Sequence, residues 1–149
     1  MTSLTATRDR LRHDGIRGLA YAAAWSAAVD AWLAPLVADA LGDDPDGIAV
    51  VAVGGYGRGL LTPRSDLDLL LVHRRSRPPV EAADRLWYPV WDEGFTLGHA
   101  VRTVPECLAL AAEDLATATA LLDVRHLGGD QDLSRELAGA ALDRWRDGA

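Results

Sequence analysis

The chain has 149 residues, enough for one domain with a sizeable core, and its 49% hydrophobic and 25% charged residues are ordinary for a soluble globular protein. The net charge of −7 excludes a general nucleic-acid binder, which needs a basic face. All 15 basic residues are arginine, which excludes lysine nucleophiles, Schiff bases and the lysine-dependent phosphate loop, although the bias itself reads best as genome composition.

Met1 opens no signal-peptide pattern and no apolar run approaches the ~20 residues of a membrane span, so a cytoplasmic setting without membrane contact is expected. From Leu4 to Leu41, Leu11, Leu19, Trp25, Val29, Trp32, Leu36 and Ala40 recur at roughly helical spacing. This predicts one long helix or a broken pair, with Gly15, Gly18 and Pro35 as interruptions. Asp43 to Gly47 is a turn. Ile48 to Val53 and Leu67 to Val72 are short apolar runs that predict buried strands. Between them lies a turn rich in glycine.

Ser76 to Pro79 predicts another turn and Val80 to Asp92 a helix, with Trp87 and Trp91 one helical turn apart as core residues rather than a base-stacking platform. Phe95 to Thr103 alternates as a third strand. Pro105 then opens a helix that carries Cys107, a lone cysteine that excludes an internal disulfide or cysteine-based zinc site. The remainder is predicted to be helical, parted by Gly128-Gly129-Asp130. The expected fold class is α/β (α+β): a small mixed β-sheet flanked by helices, with a helical C-terminal part. Residues 1–46 form a helical segment, 47–104 the sheet core and 105–149 the flank.

Chemistry concentrates in "VAVGGYGRGLLTPRSDLDLLLV", residues 51–72. Asp66 and Asp68 stand two apart at the mouth of a strand, and residues i and i+2 of a strand share a side. Two carboxylates that close raise each other's cost of ionising, so a cation is expected to join them. Alone, such a pair also suits a solvated surface. After a Gly-Gly turn it points to magnesium carried with a nucleoside triphosphate, because that ion keeps waters and takes further ligands from phosphates. Gly54 and Gly55 bring backbone N–H groups close to a ligand. Arg58, Arg64 and Ser65 flank the turn as phosphate partners.

"GGYGRGLLTPRSDLDLLLV" resembles the nucleotidyltransferase signature of the DNA polymerase β superfamily. "LWYPVWDEGFTLGHAVRT" and "EDLATATALLDVRHLGGDQDL" extend the likeness to the N-terminal domain of the bifunctional PII uridylyltransferase/uridylyl-removing (GlnD) family, over roughly residues 10–140. The resemblance implies a polymerase-β-like fold and Mg²⁺-dependent transfer of UMP or AMP, from UTP or ATP, to a tyrosine of a PII nitrogen-signalling protein. Asp66 and Asp68 are then the expected catalytic metal ligands, and Gly54, Gly55, Arg58, Ser65 and Arg102 are the residues expected to meet the nucleotide. That family's hydrolase and glutamine-sensing domains do not fit in 149 residues, so the chain reads as the transferase portion of a longer protein. Other nucleotidyl acceptors, or a non-catalytic nucleotide- or partner-binding role, are the alternatives.

Leu60 stands where the family often has Glu, and Leu97 to Arg102 holds no third carboxylate. Arg102 reads equally as a phosphate ligand or the partner of Asp92 or Asp114. His99 is expected to be partly buried and hydrogen-bonded rather than metal-bound, and Tyr56 to pack. Arg125 and Asp130 match family positions without an evident role.

Overall fold

The computed structural model describes residues 3–62 and 65–148. Its N-terminal helical stretch is a broken pair, α1 (Leu4–His13) and α2 (Gly18–Leu41). The break falls at Gly15 and Gly18, whose φ angles of +74° and +64° are open to glycine. Pro35 does not interrupt α2, contrary to expectation. The buried Val29 and Leu33 before it and Val37 and Leu41 after it anchor both halves to one core. Packing of that kind outweighs one lost hydrogen bond.

Four strands form a mixed sheet in the order β3-β2-β1-β4. They are β1 (Ile48–Ala52), β2 (Leu67–His73), β3 (Leu97–Arg102) and β4 (Arg125–Gly129). β1 runs antiparallel to both β2 and β4, whereas β2 and β3 are parallel and joined through α4 (Val80–Asp92). Beyond β3 come α5 (Val104–Glu113), α6 (Leu115–Ala120), a 3-10 turn (Leu121–Asp123) and α7 (Gln131–Asp147). Pro105 sits in the first turn of α5, which Thr103 and Glu106 close with a capping box.

Both faces of the sheet are covered, which explains its uninterrupted apolar central strands. Ile48, Val50, Ala52, Leu67, Leu69 and Leu71 face α1, α2 and α4. Ala49, Val51, Leu70 and Val72 face α5 and α7. No described helix is long and apolar enough to cross a membrane.

β4 corrects the expectation of an all-helical C-terminal part. Its sequence, RHLGG, lacks β-branched residues, but its glycines allow close approach: a Cβ on Gly128 would lie 2.5 Å from Val37 Cγ1, and one on Gly129 2.3 Å from the Ile48 carbonyl oxygen. Asp130, left without a role by the sequence, caps α7 by accepting from Leu133 N–H at 3.3 Å. It also accepts from Gly47 N–H at 3.0 Å, pinning the 43–47 turn.

Candidate active site

The segment after β1 does not simply turn. It forms one helical turn, α3 (Gly54–Gly57), before the chain reaches β2. Gly54 adopts φ +61°. As the first residues of a helical turn, Gly54 and Gly55 have N–H groups without an acceptor in the helix. Gly57 is required by space, because a Cβ there would lie 1.7 Å from the Asp123 carbonyl oxygen.

Asp68 is the second residue of β2, on the face it shares with Leu70 and Val72. It therefore stands at the open end of the core beneath α5 and α7. Its carboxylate lies between two glycines: a Cβ on Gly54 would be 3.5 Å from Asp68 Oδ2, and one on Gly98 2.1 Å from Oδ1. Gly98 is the direct register partner of Asp68 on β3. The absent side chain at 98 is the room the carboxylate occupies. A glycine inside a strand pattern is the signal that marks such a close approach.

Asp66 is exposed, just before β2. Burial, and then the charge of Asp66, push the Asp68 carboxyl above the usual carboxylate range. Among the described residues neither aspartate forms an ion pair. Two hard carboxylate oxygens, one held in a glycine cradle and neither neutralised by a described cation, suit a divalent ion such as Mg²⁺. No three His, Cys, Asp or Glu side chains cluster among the described residues.

The other sequence-derived candidates divide. Gly54 is brought to Asp68, and Gly55 follows it in the same turn. Arg58 lies at the end of that turn, and its Nη1 donates to Asp123 Oδ2 at 2.8 Å. Ser65 Oγ accepts from Thr62 N–H at 3.1 Å, so it closes a local turn. Arg64 lies outside the described residues. Arg102 pairs in register with Val72, four positions beyond the Asp68–Gly98 pair. That is about 13 Å along the strand, so Arg102 is not brought to the aspartates. It forms no ion pair with Asp92, Asp114 or any other described residue.

His99 is hydrogen-bonded as expected, its Nδ1 lying 3.4 Å from the Leu97 carbonyl oxygen, but its burial is a correction: it is exposed, with its ring against Trp87 and Trp91 at centroid distances of 5.4 and 5.1 Å. Neighbouring strand residues point to opposite faces, so Gly98 meets Asp68 while His99 faces away. Trp87 is buried as expected, but Trp91 is 41% exposed. A groove of about 970 Å³ between α5, α6 and α7 includes neither aspartate.

Sequence reasoning missed the support behind the glycine turn. Arg125 Nη1 and Nη2 donate to the Asp30 carboxylate at 2.8 and 3.1 Å, and Nη2 also donates to the Tyr56 carbonyl at 2.9 Å. The buried Tyr56 hydroxyl donates to Asp30 Oδ1 at 2.5 Å. Burial, then that bond, push the phenol far above its ordinary range, so it stays neutral. One signal was present in the sequence: Asp30 is the only charged residue between Arg17 and Asp39. A lone carboxylate on an apolar helix demands a partner.

The nucleotidyltransferase domain family matches residues 36–110, half of the chain. The chain is 48% identical over 147 residues to the bifunctional uridylyltransferase/uridylyl-removing enzyme of Streptomyces coelicolor, covering 97% of this chain and 18% of that protein. It is 45% identical over 127 residues to the Mycobacterium tuberculosis protein of the same name, covering 83% of this chain and 16% of that one. It thus spans less than a fifth of these relatives' length. A solved toxin–antitoxin structure with AMP-PNP has a TM-score of 0.48 at 11% identity, covering 76% of this chain and 87% of that one, and no argument rests on it.

Proposed function

The chain belongs to the nucleotidyltransferase domain family and is an enzyme domain of that kind, and from that premise we propose that it moves UMP or AMP from UTP or ATP to a tyrosine of a PII nitrogen-regulatory protein in the cytoplasm. The observation that carries the reading is the Asp68 carboxylate, cradled between Gly54 and Gly98 with Asp66 beside it.

In this reading Asp66 and Asp68 hold Mg²⁺, which when bound offsets phosphate charge and orients the α-phosphorus. The N–H groups of Gly54 and Gly55 donate to phosphate oxygens. Arg58 is available as well, because an exposed ion pair such as its bond to Asp123 is worth about 0–1 kcal/mol and yields to a phosphate. The acceptor's phenolic oxygen attacks the α-phosphorus in line, the bond to the β-phosphate oxygen breaks, and pyrophosphate leaves. A carboxylate of the pair receives the phenolic proton.

Incubating the chain with purified PII protein and α-labelled UTP or ATP tests this. Label is expected on a PII tyrosine, and neither Asp66→Asn nor Asp68→Asn should transfer it. Transfer to a different acceptor would keep the chemistry and replace the partner. Nucleotide binding without transfer to any acceptor would leave a regulatory module, the reading favoured by the lack of a third acid on β3.

A further inference from the structure

The sequence of α3 cannot hold its own shape. Three of its four residues are glycine, a poor helix former, and one turn has no cooperative length behind it. Yet this turn must keep Gly54 over Asp68. What holds it comes from elsewhere in the chain. A single guanidinium, Arg125 at the start of β4, spans both oxygens of Asp30 on α2 and the backbone carbonyl of Tyr56. It also lies 4.9 Å over the Tyr56 ring. The Asp123 carbonyl also fills the space beside Gly57.

We infer that Arg125 and Asp30 are positioning residues, which lock the Tyr56 end of the glycine turn so that Gly54 and Gly55 stay in place over Asp68 as nucleotide phosphates arrive. The catalytic consequence rests on the nucleotidyl-transfer reading; the clamp itself does not. An ion pair kept only for stability would be a poor choice here. Its side chains are 30% and 36% exposed, where such pairs contribute little, and apolar residues would pack as well. What the pair offers is direction. A planar guanidinium bonds three acceptors from two elements at once, and the compact ammonium of lysine does not match that fork.

The test is NMR-detected amide exchange in the free chain, with KM and kcat measured alongside. Gly57, Arg58 and Leu60 donate to the carbonyls of Val53, Gly54 and Gly55, so their amides report on the turn. Val50 and Leu71, in the sheet, serve as the reference. In Arg125→Lys and Asp30→Asn, turn amides are expected to exchange at least tenfold faster relative to the reference, with KM for Mg-nucleotide rising about tenfold. Tyr56→Phe keeps the Arg125–Asp30 pair and loses one hydrogen bond. It should show the same selectivity at about threefold, so the test survives if the stronger variants fold poorly. Turn amides that do not change, or that accelerate only in step with the sheet, would overturn the inference and leave the pair a general structural one. Selective loosening in a chain whose wild type transfers no nucleotide would uphold the clamp and remove the transfer reading instead.

Discussion

The Asp68 carboxyl, raised by burial and by Asp66, sets a linkage whose sign is fixed. The folded chain holds that proton to higher pH than the unfolded chain does, so stability falls as pH rises from the ordinary carboxylate range through the raised value. At neutral pH the ionised group is therefore a cost. Asp68→Asn should stabilise the metal-free chain by up to about 1 kcal/mol, the partial exposure of the group screening the rest. Urea unfolding at neutral and acidic pH checks this. The gain should shrink in acid, where wild-type Asp68 is itself neutral, and a gain unchanged by pH would refute the linkage. Gly98 allows a sharper test. Its alanine variant places a Cβ 2.1 Å from Asp68 Oδ1, so the carboxylate must move. Transfer should drop on the order of a hundredfold, as an ångström-scale misplacement does, with the fold retained by circular dichroism. Full activity in Gly98→Ala would show that the cradle has no function. The aspartates were legible because a Gly-Gly turn precedes the i, i+2 carboxylates at the mouth of an apolar run. Gly98 and the Asp30–Arg125 pair were not, since the first acts by lacking a side chain and the second joins residues 95 apart.

Among the elements, β1, β2, α4 and β3 were legible because their apolar periods are clean and Gly or Pro stands near their ends. Strand β4 was hidden by the feature that lets it fit. Two of its five residues are glycines, which erase a strand pattern while letting α2 and β1 approach. Pro35 misled in the opposite direction, since propensity yields where both flanks of a helix are buried. Glycines at two positions should therefore respond with opposite signs. Gly129 has φ +90° and no space for a Cβ, so Gly129→Ala should cost about 2–4 kcal/mol in urea unfolding. Gly139, inside α7, has nothing within 4 Å of a built Cβ, so Gly139→Ala should gain about 0.5–1 kcal/mol. Equal effects at both positions would contradict the assignment of β4 as a tightly packed edge strand.

At the scale of the whole molecule, charge decides what the cleft can hold. The chain carries −7, its cleft contributes two carboxylates, and it has no lysine. Among the described arginines expected from the sequence to meet phosphate, Arg58 is a single exposed cation that a phosphate must draw from Asp123, and Arg102 lies about 13 Å along the sheet from Asp68. Under the proposed function a triphosphate approaching without a cation is repelled at close range, whereas a divalent ion held by Asp66 and Asp68 would reverse the local field. Nucleotide binding is expected to depend on that reversal. Calorimetry of UTP and ATP with the wild-type chain, in magnesium and then in EDTA, measures it directly, with Asp68→Asn in magnesium as the control. Binding is expected in magnesium only, weakened at least a hundredfold in EDTA and in the variant; equal affinity in all three conditions would contradict the claim that these aspartates hold a nucleotide-bound metal.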